Sequence, residues 1–181
     1  MAEQSLGDPL PALRLPDLGG GEIDLDAVLA GKRGAVVVFW SGICSHCRRY
    51  DDYLGAFADR HPDLALLVVA CRQDETLADL RQTATDRALS FPILYDPERQ
   101  AARAWLVRQT PRTFLLDAQR RLRYRGAIDN FKYPQDPDYV PYLEPALAAF
   151  AAGEPIERQE TASFGCPVES VYYDLPKPLS R

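Results

Sequence analysis

This chain of 181 residues has only a small excess of charge of one sign, no long apolar run and few cysteines. Each of these absences excludes a class of protein. Its 21 basic and 26 acidic side chains give a net charge of −5, which does not suit a general nucleic-acid binder. The sequence contains no run of about 18 apolar residues, so we expect no membrane span. The first 20 residues contain no basic segment followed by an apolar one, so they predict no signal peptide. We therefore expect a cytoplasmic protein, or a periplasmic one if a leader has been removed.

Four cysteines are too few for a fold that depends on disulfides. Two of them, Cys44 and Cys47, form a C-x-x-C pair in the stretch FWSGICSHC, directly after the apolar run AVVVFW. Such a pair indicates redox chemistry or metal binding. A structural zinc site needs about four ligands, but the other candidates form no second pair. These candidates are Cys71, Cys166, His46 and His61. A metal-binding or metallochaperone module that uses Cys44, His46 and Cys47 stays open as an alternative.

Hydrophobic periodicity predicts one α/β domain over residues 1–153 and an irregular C-terminal tail over 154–181. Two short extended pieces around GGGE at 19–22 predict an N-terminal β-hairpin. The order of elements describes a mixed central sheet flanked by helices on both faces. Strands are predicted at 35–40, 64–71, 112–117 and 121–126, and helices at 44–60, 74–88, 98–106 and 138–153, with Asp26 capping a further short helix.

The place of the C-x-x-C pair, between a buried strand and a helix, is chemically informative. Unpaired N–H groups and the macrodipole at a helix N-terminus favour an anion, and the thiolate is the reactive form of cysteine. Cys44 should therefore have a lowered pKa, and the neighbouring His46 could lower it further. Cys47 lies three residues on, on the same helical face, and should be more buried and remain a thiol. We expect Cys44 to attack a disulfide and Cys47 to resolve the resulting mixed disulfide.

Several motifs of the sequence resemble those of a known protein family. FWSGICSHC resembles the thioredoxin motif, in which a Trp stands four residues before the first active-site cysteine. QTPRTFLLD resembles the thioredoxin-fold segment that contains a cis proline opposite the C-x-x-C. The stretch from FPILYDPERQ onward is similar to the redoxin and TlpA-like branch of thiol-disulfide oxidoreductases. YRGAIDN and the later ASFGCP are similar to a peroxiredoxin-like thioredoxin subgroup that ends in a Gly-Cys element. The likeness runs from about residue 7 to about residue 169.

The resemblance implies a thioredoxin-like fold and an enzyme of dithiol–disulfide exchange that serves cell redox homeostasis. It makes Cys44 the nucleophile, Cys47 the resolving thiol and Pro111 the cis proline. It also implies that Thr110 pairs through its backbone with a bound substrate chain and that Trp40 borders the substrate site. No cofactor is implied. The expected partners are protein or small disulfide and dithiol substrates, together with a redox partner that supplies or accepts electrons.

Three positions depart from the thioredoxin pattern. Val38 replaces the buried acid that accepts the proton of the resolving thiol, so another group or water must take it. Ile43 replaces the Trp before the first cysteine. Ser45-His46 between the cysteines resembles oxidising relatives; a thiolate stabilised by His46 would favour the reduced form and make the disulfide a stronger oxidant.

The other two cysteines leave several alternatives. Cys71 closes a strand, where a free cysteine is most often a buried apolar residue. Cys166 could act as a third redox thiol, pair with Cys71 or stay free. A thiol peroxidase with an antioxidant role is the second enzymatic alternative. Ser41 could stand for the Thr of its Pro-x-x-x-Thr motif, but Val37 stands where the motif needs Pro.

Overall fold

The computed structural model describes residues 4–169, and within them nine strands and seven helices. The first two strands form the predicted N-terminal hairpin, with Leu15 opposite Ile23. The strands are β1 (Arg14–Pro16), β2 (Glu22–Asp24), β3 (Gly34–Trp40), β4 (Leu64–Ala70), β5 (Ile93–Tyr95), β6 (Gln109–Thr110), β7 (Arg112–Asp117), β8 (Leu122–Gly126) and β9 (Cys166–Pro167).

Five of these strands form the central sheet, in the order β5-β4-β3-β7-β8. β3 pairs in parallel with β4, and β4 with β5, whereas β7 runs antiparallel to both β3 and β8. All seven residues of β3 are buried because helices cover both faces of the sheet. The predicted fold class, a mixed sheet with an N-terminal hairpin, is confirmed.

The helices lie on both faces and divide the core into two apolar clusters. The cluster that contains the C-x-x-C pair also contains Trp40 and the buried side of the C-terminal helix. The helices are α1 (Leu25–Leu29), α2 (Ser45–Arg48), α3 (Asp51–Gly55), α4 (Phe57–Arg60), α5 (Leu77–Asp86), α6 (Gln100–Ala104) and α7 (Leu143–Ala152). None of the helices within residues 4–169 has the length and apolar character to span a bilayer.

Three helix predictions need correction. The C-terminal helix predicted over 138–153 begins only at Leu143, after an isolated bridge at Pro141. Asp24, not Asp26, caps α1: its carboxylate accepts hydrogen bonds from the N–H groups of Asp26 at 2.8 Å and Ala27 at 3.4 Å. The single helix predicted over 44–60 is three short helices, because the backbone at Tyr50 (φ −104°, ψ 6°) and Ala56 (φ −89°, ψ 4°) leaves the helical region. The apolar residues of 44–60 keep their helical spacing across these breaks, because each short helix presents its apolar side chains to the same core cluster.

The tail is less irregular than predicted. Its strand β9 pairs antiparallel with β6, immediately before Pro111. The boundary proposed at residue 153 agrees with the end of α7, where Gly153 adopts a left-handed conformation (φ +71°). The division into a domain and a tail stays a prediction, and residues 170–181 of that tail lie outside the described residues.

Candidate active site

The C-x-x-C pair lies just past the carboxyl end of β3, where the chain turns into α2. Cys44 is the N-cap of α2, and Cys47 lies in the helix itself. The side chain of Cys44 makes no capping bond, so the first N–H groups of α2 are free to favour a negative sulfur. Cys44 is 1% exposed and Cys47 is fully buried. The expected position of Cys44 at the start of a helix is thus observed.

The Thr110–Pro111 bend faces the two sulfurs. Its peptide bond is cis, as expected, although Thr110 and Cys44 are 66 residues apart in the chain. In its thiol form Cys44 donates a hydrogen bond to the Thr110 carbonyl at 3.4 Å. Thr110 is fully buried, and its hydroxyl forms a hydrogen bond with Cys47. The sheet therefore brings together four residues that the sequence placed in one site.

The two thiols ionise very differently. Hydrogen bonds from Cys47, and then from Cys166, lower the pKa of Cys44 from 9.0 to about 4, against the opposing effect of burial. Burial raises the pKa of Cys47, and the nearby Cys44 raises it further. One sulfur is therefore a thiolate at neutral pH while its neighbour keeps its proton and donates to it. This difference in pKa suits a nucleophilic thiolate next to a protonated resolving thiol.

Trp40 and His46 occupy positions that bear on their expected roles. Trp40 is fully buried beneath the site, with Phe91 against its edge at 6.1 Å and the Arg87 guanidinium 5.3 Å from its ring. His46 is exposed, and its ring meets Phe131 at 5.7 Å. The groups that lower the pKa of Cys44 are Cys47 and Cys166. Substrate contact by Trp40 and pKa tuning by His46 stay predictions.

The sequence left the position of Cys166 open among three alternatives. The structure places it opposite Thr110 in the β6–β9 ladder, where its thiol forms a hydrogen bond with Cys44. Burial raises the pKa of Cys166 to about 11, and the Cys44 sulfur contributes to this rise. All four cysteines are free thiols in this structure. Cys71 lies in the other core cluster, where burial raises the pKa of its thiol.

Three residues near the site were assigned no individual role from the sequence. Glu75 is buried, and its carboxylate accepts a hydrogen bond from the N–H of Ile43 at 3.2 Å. Arg72 hydrogen-bonds to Cys166, and Gly165 lies against the cis bond. Only Gly165 carried a readable signal, since a glycine directly before a cysteine allows a close backbone approach. Arg72 and Glu75 reach the site through the loop after β4, and local patterns do not predict that loop's path.

The metal alternative depends on a cluster of ligands. Within residues 4–169, no three His, Cys, Asp or Glu side chains are grouped so that they could hold a metal ion. The imidazole of His46 is exposed and lies edge-to-face against the ring of Phe131.

Two proteins are similar in sequence to much of this chain. The thiol:disulfide interchange protein DsbE of Allochromatium vinosum is 27% identical over 153 residues, which cover 81% of this chain and 78% of the relative. The thiol-disulfide oxidoreductase ResA of Bacillus thuringiensis is 25% identical over 115 residues, which cover 64% of this chain and 65% of the relative. This chain therefore matches slightly less than two thirds of the length of ResA.

Solved structures share the fold. A hypothetical protein from Sinorhizobium meliloti is 27% identical and superposes with a TM-score of 0.80, covering 92% of this chain and 95% of that one. A secreted disulfide oxidoreductase of Mycobacterium tuberculosis is 20% identical, with a TM-score of 0.56, covering 77% of this chain and 95% of that one. The thioredoxin-like fold expected from the resemblance is confirmed. Residues 6–125, about two thirds of the sequence, match the AhpC/TSA family, and the chain belongs to that family.

Proposed function

We propose that this chain is a thiol-disulfide oxidoreductase in which Cys44 is the nucleophile and Cys47 the resolving thiol. The observation that carries the proposal is the unequal pair of sulfurs at the start of α2, opposite the cis Thr110–Pro111 bond. Cys44 has a pKa of about 4, whereas the pKa of Cys47 is raised. The relatives DsbE and ResA are named for the same reaction class, which supports the proposal.

The first step is the attack of the Cys44 thiolate on one sulfur of a substrate disulfide. The substrate S–S bond breaks, and its second sulfur leaves with the electron pair and takes a proton from water. In the second step Cys47 loses its proton and attacks the Cys44 sulfur of the mixed disulfide. The substrate leaves as a second thiol, so it has gained two electrons and the protein holds a Cys44–Cys47 disulfide.

The proton of Cys47 needs a route out of a buried site. Val38, which stands in place of the usual acid, is fully buried in the centre of the sheet. The hydroxyl of Thr110 lowers the pKa of Cys47 by hydrogen bonding, in opposition to burial. We assign to Thr110 the stabilisation of the Cys47 thiolate, which forms when the proton passes to water as substrate opens the site. A dithiol partner then reduces the protein disulfide by the same two steps in reverse roles.

The surface beside the sulfurs favours a protein or peptide substrate. Ile43, directly before Cys44, is 54% exposed, and the aromatic ring of Phe164 is exposed on the tail. Exposed apolar side chains at a reactive centre provide contact area for a partner chain. The compartment of the protein stays a prediction.

Reduction of insulin disulfides by the full chain, with dithiothreitol as electron source, tests the proposal. Wild-type protein should accelerate the reaction, and Cys44→Ser should reduce the rate to that of dithiothreitol alone. Cys47→Ser combined with Cys166→Ser removes both thiols that contact Cys44 and, without dithiothreitol, should accumulate a mixed disulfide with insulin, which mass spectrometry detects. Cys71→Ser is the matched control and should retain activity, because its thiol lies in the other core cluster.

Equal rates in wild-type and Cys44→Ser protein would contradict the proposal. Peroxide consumption by Cys44 that far exceeds its disulfide exchange would instead favour the peroxidase alternative.

A further inference from the structure

The reactive sulfur is covered by the protein's own C-terminal segment. Cys44 is only 1% exposed, although a nucleophile must meet its substrate. Strand β9 lies across it and pairs antiparallel with β6, so that Cys166 stands opposite Thr110 and Pro167 opposite Gln109. An extended chain that binds a protein commonly does so by adding a strand to a free edge in this way. Here the edge beside the sulfurs is already occupied.

Gly165 fixes how closely the segment approaches. A Cβ atom at this position would lie 1.8 Å from the carbonyl oxygen and 2.6 Å from the carbonyl carbon of Thr110. Those atoms are backbone and cannot move aside as a flexible side chain would. Only glycine therefore lets the segment lie directly on the cis bond, which brings the next side chain, Cys166, up to Cys44.

Contacts on both sides of Gly165 hold the segment in this register. Upstream, Ser163 is buried; its hydroxyl accepts a hydrogen bond from Arg112 at 2.7 Å, and its carbonyl accepts one from the Gln109 side chain. Downstream, Val168 is buried in the core, and its N–H donates to the Arg108 carbonyl at 2.9 Å. The carbonyl of Val168 accepts from the N–H of Gln73 at 3.1 Å. The placement of the cysteine is therefore anchored at both ends.

We propose that residues 163–168 are an internal substrate strand, which presents Cys166 to Cys44 as a bound partner would present its own cysteine and forms a reversible disulfide with it. This inference rests on the proposed function. In the oxidised protein, Cys166 loses its proton and attacks the Cys44 sulfur of the Cys44–Cys47 disulfide. That bond breaks, and Cys47 leaves with the electron pair and takes up a proton. The exchange moves the disulfide without net oxidation.

The new disulfide has one accessible side. Cys166 is half-buried, whereas Cys44 is covered, so a thiol from solvent reaches the Cys166 sulfur first. Attack there expels Cys44, whose low pKa makes it the better leaving group of the two. Electrons that enter at the surface thus reach the buried sulfur through Cys166. A partner chain that engages Cys44 directly must first displace the internal substrate strand.

The Cys47→Ser full chain, treated with 2-hydroxyethyl disulfide, tests this step apart from the proposed function. Cys44 attacks the reagent and retains a hydroxyethylthio group; Cys166 then attacks the Cys44 sulfur and expels mercaptoethanol. The expected product is a Cys44–Cys166 disulfide without retained reagent, identified by peptide mapping under non-reducing conditions. Adding Cys71→Ser should leave this product unchanged, whereas adding Cys166→Ser should leave the reagent on Cys44.

Gly165→Ala in the Cys47→Ser background tests the geometry while keeping every other thiol. The added methyl group should lift the strand from the cis bond, so the reagent should persist on Cys44 and the bridge should form several-fold more slowly. A retained adduct on Cys44 or Cys166 in the parent chain, or an equally fast bridge after Gly165→Ala, overturns the internal exchange while leaving Cys44 as a nucleophile. No reaction at Cys44 at all would overturn the proposed function together with this inference.

Discussion

Removal of the Cys166 thiol should raise the pKa of Cys44. Cys166 is the second of two thiols whose hydrogen bonds lower that pKa to about 4. A hydrogen bond to a charged group contributes about 1.5–3 kcal/mol, and a change of one in pKa corresponds to about 1.4 kcal/mol. Loss of the bond in Cys166→Ala should therefore raise the pKa by about 1–2. Water admitted by the smaller side chain restores part of the lost bond, so we expect a rise of about 1.

The thiolate's ultraviolet absorbance, titrated against pH in wild-type and variant protein, measures this change. Subtraction of the same titration in Cys44→Ser isolates the signal of the single sulfur. Cys166→Ser retains a hydroxyl donor and should change the pKa less than Cys166→Ala. Cys71→Ala removes a buried thiol from the other cluster and should leave the midpoint in place. An unchanged midpoint in Cys166→Ala, or an equal change in Cys71→Ala, would refute the assigned hydrogen bond.

Three further outcomes follow from the site and its support. Because the pKa of Cys44 falls from 9.0 to about 4 on folding, its thiolate stabilises the folded chain fully above pH 9 and progressively less as the pH falls to about 4. In urea unfolding, the stability advantage of wild type over Cys44→Ser should thus grow as the pH rises between these limits. Tyr50→Phe removes the hydroxyl that donates to the buried Asp129 carboxylate at 2.6 Å and should lower the free energy of unfolding by about 1–3 kcal/mol. The stabilised thiolate favours the dithiol form, so the Cys44–Cys47 couple, equilibrated with glutathione, should have a potential well above roughly −270 mV, toward about −120 mV.

Each of these outcomes has its own control. A parallel pH dependence in wild type and Cys44→Ser would show that another group titrates. Tyr133→Phe removes an exposed hydroxyl and should be neutral, so a similar loss in both tyrosine variants would refute the role of the buried bond. A potential at or below roughly −270 mV would show that the thiolate is not selectively stabilised in the reduced protein.

The central sheet could be predicted because its strands are continuous apolar runs bounded by turns. The run at 35–40 and that at 64–71 differ from β3 and β4 by one residue at one end each. The place of Cys44 at the start of a helix followed directly from the strand before it. β5 was missed, since three residues followed by a polar loop carry no periodicity. Its strand conformation depends on parallel pairing with β4, which the local sequence does not reveal.

The tail could not be predicted for a related reason. Two residues of β9 pair with two residues of β6 that lie more than fifty positions earlier in the chain. A local sequence pattern cannot predict a contact over such a separation. The sequence named Cys166 as a third redox thiol only as one of three alternatives. The same limit applies to the pKa of Cys44, because His46 is its neighbour in sequence whereas Cys166 is its neighbour in space.

The position of the internal substrate strand has a consequence for synthesis on the ribosome. A chain made from its N-terminus completes β3, α2 and the Thr110–Pro111 bend well before residues 163–168 emerge. The nascent domain therefore passes through a stage in which the sulfur of Cys44 is uncovered and open to any disulfide nearby. The emergence of residues 163–168 ends that interval, so slow codons shortly before them should increase the fraction of newly made protein in which Cys44 carries a foreign thiol.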